Sequence, residues 1–233
     1  MEGYTPDHKM ADLIADDYRL IQVMSRFGIR VGFGNMTVRE VCDSQNVDCN
    51  TFLAVVNFIT DDNIAATPAT PLSLDSLLGF LKSSHSYFLE YCFPAIRRKL
   101  LEGIRIRTSD VSFLILKMYD EYVDEVRTHM EYEDRTVFSY ISGRLEGAPA
   151  DNTVTTYSDH HEQVADKLRE LKGIILRYCP EDADVNLLNA ALSDIYRTEK
   201  ELESHCLVED CLLVPAIRLM EQKKQGEYHH EEE

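Results

Sequence analysis

His85 is followed 44 residues later by His129 and, four residues on, by Glu133; His161 is followed 44 residues later by His205 and then by Glu209. Each member of the second set lies 76 residues after its counterpart. Imidazole nitrogens and carboxylate oxygens are metal donors, so the repeat has the composition of a ligand set. Six ligands are too many for a typical tetrahedral zinc site, which uses four. Four imidazoles and two carboxylates suit two redox metals bridged by the carboxylates, and nitrogen-rich ligation with open positions favours iron. Ferritin-like di-iron bundles use Glu-x-x-His with further inward glutamates. The order here is reversed and the spacing longer, which disfavours a ferroxidase of that type.

The spacing also dictates what must hold these residues. Positions four apart on a helix share a face about one turn apart, so His129-x3-Glu133 and His205-x3-Glu209 each present an imidazole beside a carboxylate. A chain that climbs one helix and descends the next returns to the same height after about 20 residues each way. His85 can therefore meet His129, and His161 can meet His205. His160 competes with His161, but neighbouring helix residues point about 100° apart and only one can face the metals. The 76-residue register selects His161, whose following Val164, Ala165 and Leu168 continue an inward stripe. Glu131 and Asp134 flank the second-helix pair at the wrong angle for ligation and read as solvated or supporting charges.

The rest of the chain supplies such helices. Among 233 residues, 44% are hydrophobic and 28% charged, with 10 Gly, 7 Pro and no Trp. That is a globular composition with few helix breakers, and the apolar periodicity predicts an all-α fold. Residues 65–73, with Pro68 and Pro71 among small residues, read as a linker. The expected organisation is a small helical domain at 1–65, a linker at 66–73, an antiparallel four-helix bundle at 74–222 and a polar, disordered tail at 223–233.

In the first domain the pattern predicts three short helices. These are 11–27, a second capped by Thr37 with Glu40 completing a capping box, and a third starting at Asn50 or Thr51. Small as it is, this domain should depend on its neighbour for stability. In the bundle the expected helices are 74–101, capped by Ser73, then about 109–145, 153–178 and 183–222.

A net charge of −17 argues against nucleic acid as a partner. No run approaches the roughly 18 apolar residues of a membrane span, and the N-terminus has no apolar signal core. The cysteines at 42, 49, 92, 179, 206 and 211 form no CxxC pair. Cys92, Cys206 and Cys211 fall in apolar helical patterns and are expected to be buried, reduced thiols, which points to a cytoplasmic setting.

These motifs resemble the hemerythrin-like, HHE cation-binding family from about Leu72 to Met220. The resemblance rests on His85, His129-x3-Glu133 with Val137-Phe138, His161-Glu-x-Val-Ala-x-x-Leu, and His205-x3-Glu209 trailed by Leu213-Val-Pro215. The stretch from Gly28-Ile29 to Cys42 is similar to the N-terminal domain of the iron–sulfur cluster repair di-iron proteins (the RIC, ScdA/YtfE group). Together the two resemblances cover nearly the whole chain. They imply two iron ions in an oxo- or hydroxo-bridged centre held by His85, His129, Glu133, His161, His205 and Glu209. True hemerythrins carry a further histidine and an aspartate ligand; no counterpart stands out here, which favours open iron positions over dedicated oxygen transport.

The activity implied is stress chemistry with nitric oxide or dioxygen as the gas ligand, with iron–sulfur proteins as partners in cluster repair and with an oligomer allowed. One departure matters. Gly32 and Phe33 stand where the repair group has adjacent cysteines, and without those thiols a sensor or iron-binding module without turnover is the alternative. Cys42 and Cys49 lie nearby and read as buried structural thiols.

Overall fold

The computed structural model describes residues 3–60, 72–104, 110–146 and 161–230; for 161–166 and 223–230 the backbone alone is described. Every regular element among these residues is helical, apart from an isolated bridge between Lys9 and Thr37. The linker expected at 66–73 lies outside the described residues except for Leu72 and Ser73, as does the turn expected after residue 146.

The single helix expected over 11–27 is two: α1 (Met10–Asp16) and α2 (Leu20–Arg26). Asp17 breaks it. Its carboxylate accepts hydrogen bonds from the Arg19 backbone N–H at 2.9 Å and the Arg19 guanidinium at 2.6 Å. Such a local side-chain bond gives the backbone an alternative to the helix ladder. Helix α3 (Val38–Ser44) has the expected box: Thr37 Oγ1 accepts from Glu40 N–H at 3.2 Å, and Glu40 returns the bond to Thr37 N–H at 2.7 Å. Helix α4 (Cys49–Thr60) starts a residue earlier than Asn50, because Asp48 accepts from Thr51 N–H at 2.8 Å and serves as its cap. The N-terminal segment thus holds four short helices rather than three.

Three long helices are interrupted by π-helical turns. Helix α5 (74–103) comprises Leu74–Ser86, the π turn Tyr87–Cys92 and Phe93–Gly103. Helix α6 (110–145) comprises Asp110–Tyr132, the π turn Glu133–Phe138 and Ser139–Leu145. Helix α7 is His161–Tyr178. Helix α8 (185–230) comprises Val185–Val208, the π turn Glu209–Leu213 and Val214–His230, so the chain stays helical past Gln222, where polar composition suggested a disordered tail.

Two of the π turns have a covalent reason. Pro94 and Pro215 lack the N–H of an α-helical ladder, and their rings clash with the carbonyl four residues back. Each sits two residues past a π turn, where the register has already shifted: Phe93 N–H donates to Phe88 O and Val214 N–H to Glu209 O, five residues back.

The described chain groups into two compact units, Met1–Ser84 with Ser204–Glu233, and His85–Glu203. In the first, the N-terminal helices rest on α5. Phe27 stacks on Phe80 at 4.8 Å between centroids and meets Phe52 edge-on at 5.4 Å, and Ser73 N–H donates to Thr51 Oγ1 at 2.9 Å. The expected Ser73 cap is present: its hydroxyl accepts from Ser76 N–H.

In the second unit Phe88, Phe93, Tyr122, Leu171, Ile175 and Ile195 belong to one buried core. The Tyr119 hydroxyl, 1% exposed, donates to Phe93 O at 2.9 Å and ties α6 to the carbonyl just beyond the π turn of α5. Burial raises the Tyr119 phenol well above its usual range, so it remains a donor. Gly103 lets the start of α8 approach closely, because a Cβ there would lie 3.3 Å from Leu187 Cβ and from Leu188 N. Cys92 is buried, with its sulfur 3.0 Å from Thr198 Oγ1, whereas Cys206 and Cys211 are only half-buried, contrary to expectation.

Candidate metal centre

Each π turn adjoins a residue of the sequence repeat. Glu133 opens the π turn of α6, Glu209 opens that of α8, and His85 precedes that of α5 by two residues. A π turn inserts an extra residue and re-aims the side chains around it, and such turns recur at functional sites. The i, i+4 relation survives, since each histidine lies in the regular helix just before its glutamate.

Glu133 lies between two imidazoles. Its Oε1 is 3.0 Å from His129 Nε2 and its Oε2 is 3.4 Å from His85 Nε2. His85 is fixed from three sides. Its Nδ1 is 3.0 Å from Asp134 Oδ1, its Nε2 is turned to Glu133, and its ring stacks on Phe138 at 5.3 Å between centroids. Asp134 Oδ1 is placed to accept from Nδ1–H, the tautomer that leaves the Nε2 lone pair for a metal. On α8, His205 Nε2 lies 3.1 Å from Glu209 Oε1.

One donor atom from each of His85, Glu133, His205 and Glu209 lies within 4.8 Å of the other three, and all four residues are buried. Glu133 and Glu209 are 1% and 0% exposed. Two carboxylates sealed from water are costly as bare charges. A multivalent cation offsets that cost, and the nitrogen and oxygen donors are of the kind that iron accepts, so the residues present fit such a group.

Of the six sequence candidates, these four come together and His129 joins through Glu133, with its side chain 16% exposed. His161 is the first residue of α7; its side chain and all of His160 lie outside the described residues. Leu168, about two turns along the same face of α7, is buried as expected. Of the two flanking charges that spacing left undistinguished, Asp134 lies 3.0 Å from His85 Nδ1, whereas the equally half-buried Glu131 pairs with Arg135 at 2.9 Å.

The choice of His161 over His160 leads to a direct test. His160→Ala is expected to leave the bound metal unchanged, and His161→Ala to lower it, by metal analysis of the purified protein. Metal loss in the first variant with none in the second reverses the assignment.

The fold and the buried donors define a helical protein with a histidine–carboxylate cluster that could hold metal. The model of the hemerythrin HHE cation binding domain matches residues 76–217, more than half of the chain, and the protein belongs to that family. No curated protein matches it.

Proposed function

We propose that the chain is a non-haem di-iron protein of nitrosative and oxidative stress that binds or reduces nitric oxide or dioxygen. Its two-domain order is similar to that of the iron–sulfur cluster repair di-iron (RIC, ScdA/YtfE) group, and cluster repair is the setting proposed for it. The observation that carries this reading is the buried cluster of His85, Glu133, His205 and Glu209 in a chain of the hemerythrin HHE family.

His85, His129, Glu133, His161, His205 and Glu209 are the proposed ligands, three from each sequence repeat. Two iron ions held there would supply one-electron changes and the binding of a small gas. The chain does the rest. Glu133 turns its two oxygens to two different imidazoles, so its carboxylate would share the metal site with both His85 and His129. Asp134 fixes the His85 tautomer. Phe138, fully buried, stacks on the His85 ring and covers that flank.

One observation favours the second reading, a gas sensor or iron store. The loop that would carry a thiol pair in the repair group instead has Gly28, Gly32 and Gly34 at φ of 75°, 100° and 55°, with Phe33 between the last two. Exposing the reduced, iron-loaded protein to excess nitric oxide with an electron donor separates the two. Nitrous oxide formed over many turnovers supports the enzyme, and a single stoichiometric adduct supports the sensor. An iron-loaded protein inert to both nitric oxide and dioxygen removes the enzyme and the gas sensor and leaves the iron-binding module.

A further inference from the structure

A cleft of about 390 Å³ opens where the last segment of α5 meets α6. Its size falls in the range of roughly 300–1,000 Å³ that small-molecule sites occupy. The floor is apolar and has no polar group to spare. Phe93 and Tyr119 are buried, and the Tyr119 hydroxyl is already given to Phe93 O at 2.9 Å. Pro94 has no N–H to offer, and Val123 completes the floor. All four lie within the compact unit His85–Glu203.

The rim is charged. Arg97 and Asp120 hold each other, with Arg97 Nε donating to Asp120 Oδ1 at 2.7 Å and Nη2 to Oδ2 at 2.8 Å. That two-bonded fork cancels their charges and engages both carboxylate oxygens. Asp124 and Arg127, both exposed, line the same cleft, and among the described residues neither side chain has an ion-pair partner. Residues three apart on a helix are neighbours on its surface. The cleft therefore sets one uncompensated anion beside one uncompensated cation above an apolar floor. A simple anion would meet Asp124 and a chain of net charge −17, and a simple cation would meet Arg127. A neutral ligand carrying both charges meets neither penalty. An α-amino acid has its ammonium and carboxylate on one carbon, which suits two side chains a turn apart.

We propose that this cleft binds a free α-amino acid with an apolar or aromatic side chain. Arg127 takes the carboxylate and Asp124 the ammonium, each through charge-assisted hydrogen bonds. The ligand's side chain lies over Phe93, Pro94, Tyr119 and Val123, and the Arg97–Asp120 fork forms one wall. Binding involves no bond made or broken. None of these residues is a proposed metal ligand, so the amino-acid site and the metal centre stand or fall separately.

The test titrates the full chain with L-phenylalanine, followed by calorimetry and by the NMR signals of Val123 and Tyr119. Saturable binding below about 10 mM is expected, with those signals shifted. Hydrocinnamate lacks the ammonium, phenethylamine lacks the carboxylate and glycine lacks the side chain; each is expected to bind at least about tenfold more weakly. Arg127→Gln and Asp124→Asn change exposed positions and are expected to keep the fold by circular dichroism. Each should weaken L-phenylalanine by about tenfold, and Arg127→Gln should no longer distinguish it from phenethylamine. No binding up to about 10 mM overturns the proposal. So does hydrocinnamate, phenethylamine or glycine binding as tightly as L-phenylalanine, or an affinity unchanged in both folded variants.

Discussion

Glu209→Gln is expected to lower the bound metal by at least one ion per chain, with loss of the optical absorption of the proposed di-iron centre. Gln keeps the volume of the side chain, so packing of the fully buried Glu209 is preserved while the charge and the oxygen ligand are removed. Its effect on stability should change sign with the metal. With metal present, the variant forfeits binding energy and unfolds at lower urea. In metal-free protein it removes a sealed carboxylate, and stability is expected to rise by about 1–3 kcal/mol. A simple ion pair with His205, 3.1 Å away, predicts the opposite in the metal-free chain, because breaking a buried pair destabilises it. Urea unfolding with and without a chelator reads both signs. His129→Ala is expected to lose metal as well, since its Nε2 lies 3.0 Å from Glu133 Oε1. Full metal occupancy in both variants sinks the ligand set.

Much of this centre was written in spacing. A helix of period 3.6 forces His129 and Glu133, and His205 and Glu209, onto common faces, and the 44-residue pitch returns the chain to the same height. What spacing could not deliver was the local winding. The π turns at Tyr87–Cys92, Glu133–Phe138 and Glu209–Leu213 depend on a one-residue register shift that leaves the apolar pattern nearly unaltered. Pro94 and Pro215 were the available signal, for a proline inside an apolar helical run must be accommodated by a kink or a widened turn. The turn at Glu133 has no such proline.

In the N-terminal segment the capping box at Thr37 was legible because it uses residues three apart in sequence. The break at Asp17 was missed because apolar periodicity runs straight through it, and the competing bond is made by a side chain to a backbone two residues away.

Asp134 is expected to act on the metal through His85 alone. Asp134→Ala should weaken metal binding by about 10–100-fold in competition with a chelator, the usual penalty for removing the partner of a ligating imidazole. Asp134→Asn should recover part of that loss, because its amide oxygen can still accept from Nδ1–H at the 3.0 Å position. The residue is 41% exposed on its side chain, so neither change leaves a core cavity, and global stability of the metal-free chain should move by no more than about 1 kcal/mol.

A second readout separates positioning from bulk electrostatics. In metal-free protein the nitrogen chemical shifts of His85 should report a proton on Nδ1 in the wild type and a redistributed tautomer in Asp134→Ala. Glu131→Ala removes a carboxylate of the same charge, three residues earlier on the same helix and paired outward with Arg135. It is expected to change neither the His85 shifts nor the metal affinity. Equal losses from Asp134→Ala and Glu131→Ala would reduce Asp134 to one more negative charge near a cation. A loss confined to Asp134, with partial rescue by Asn, assigns it the orientation of His85.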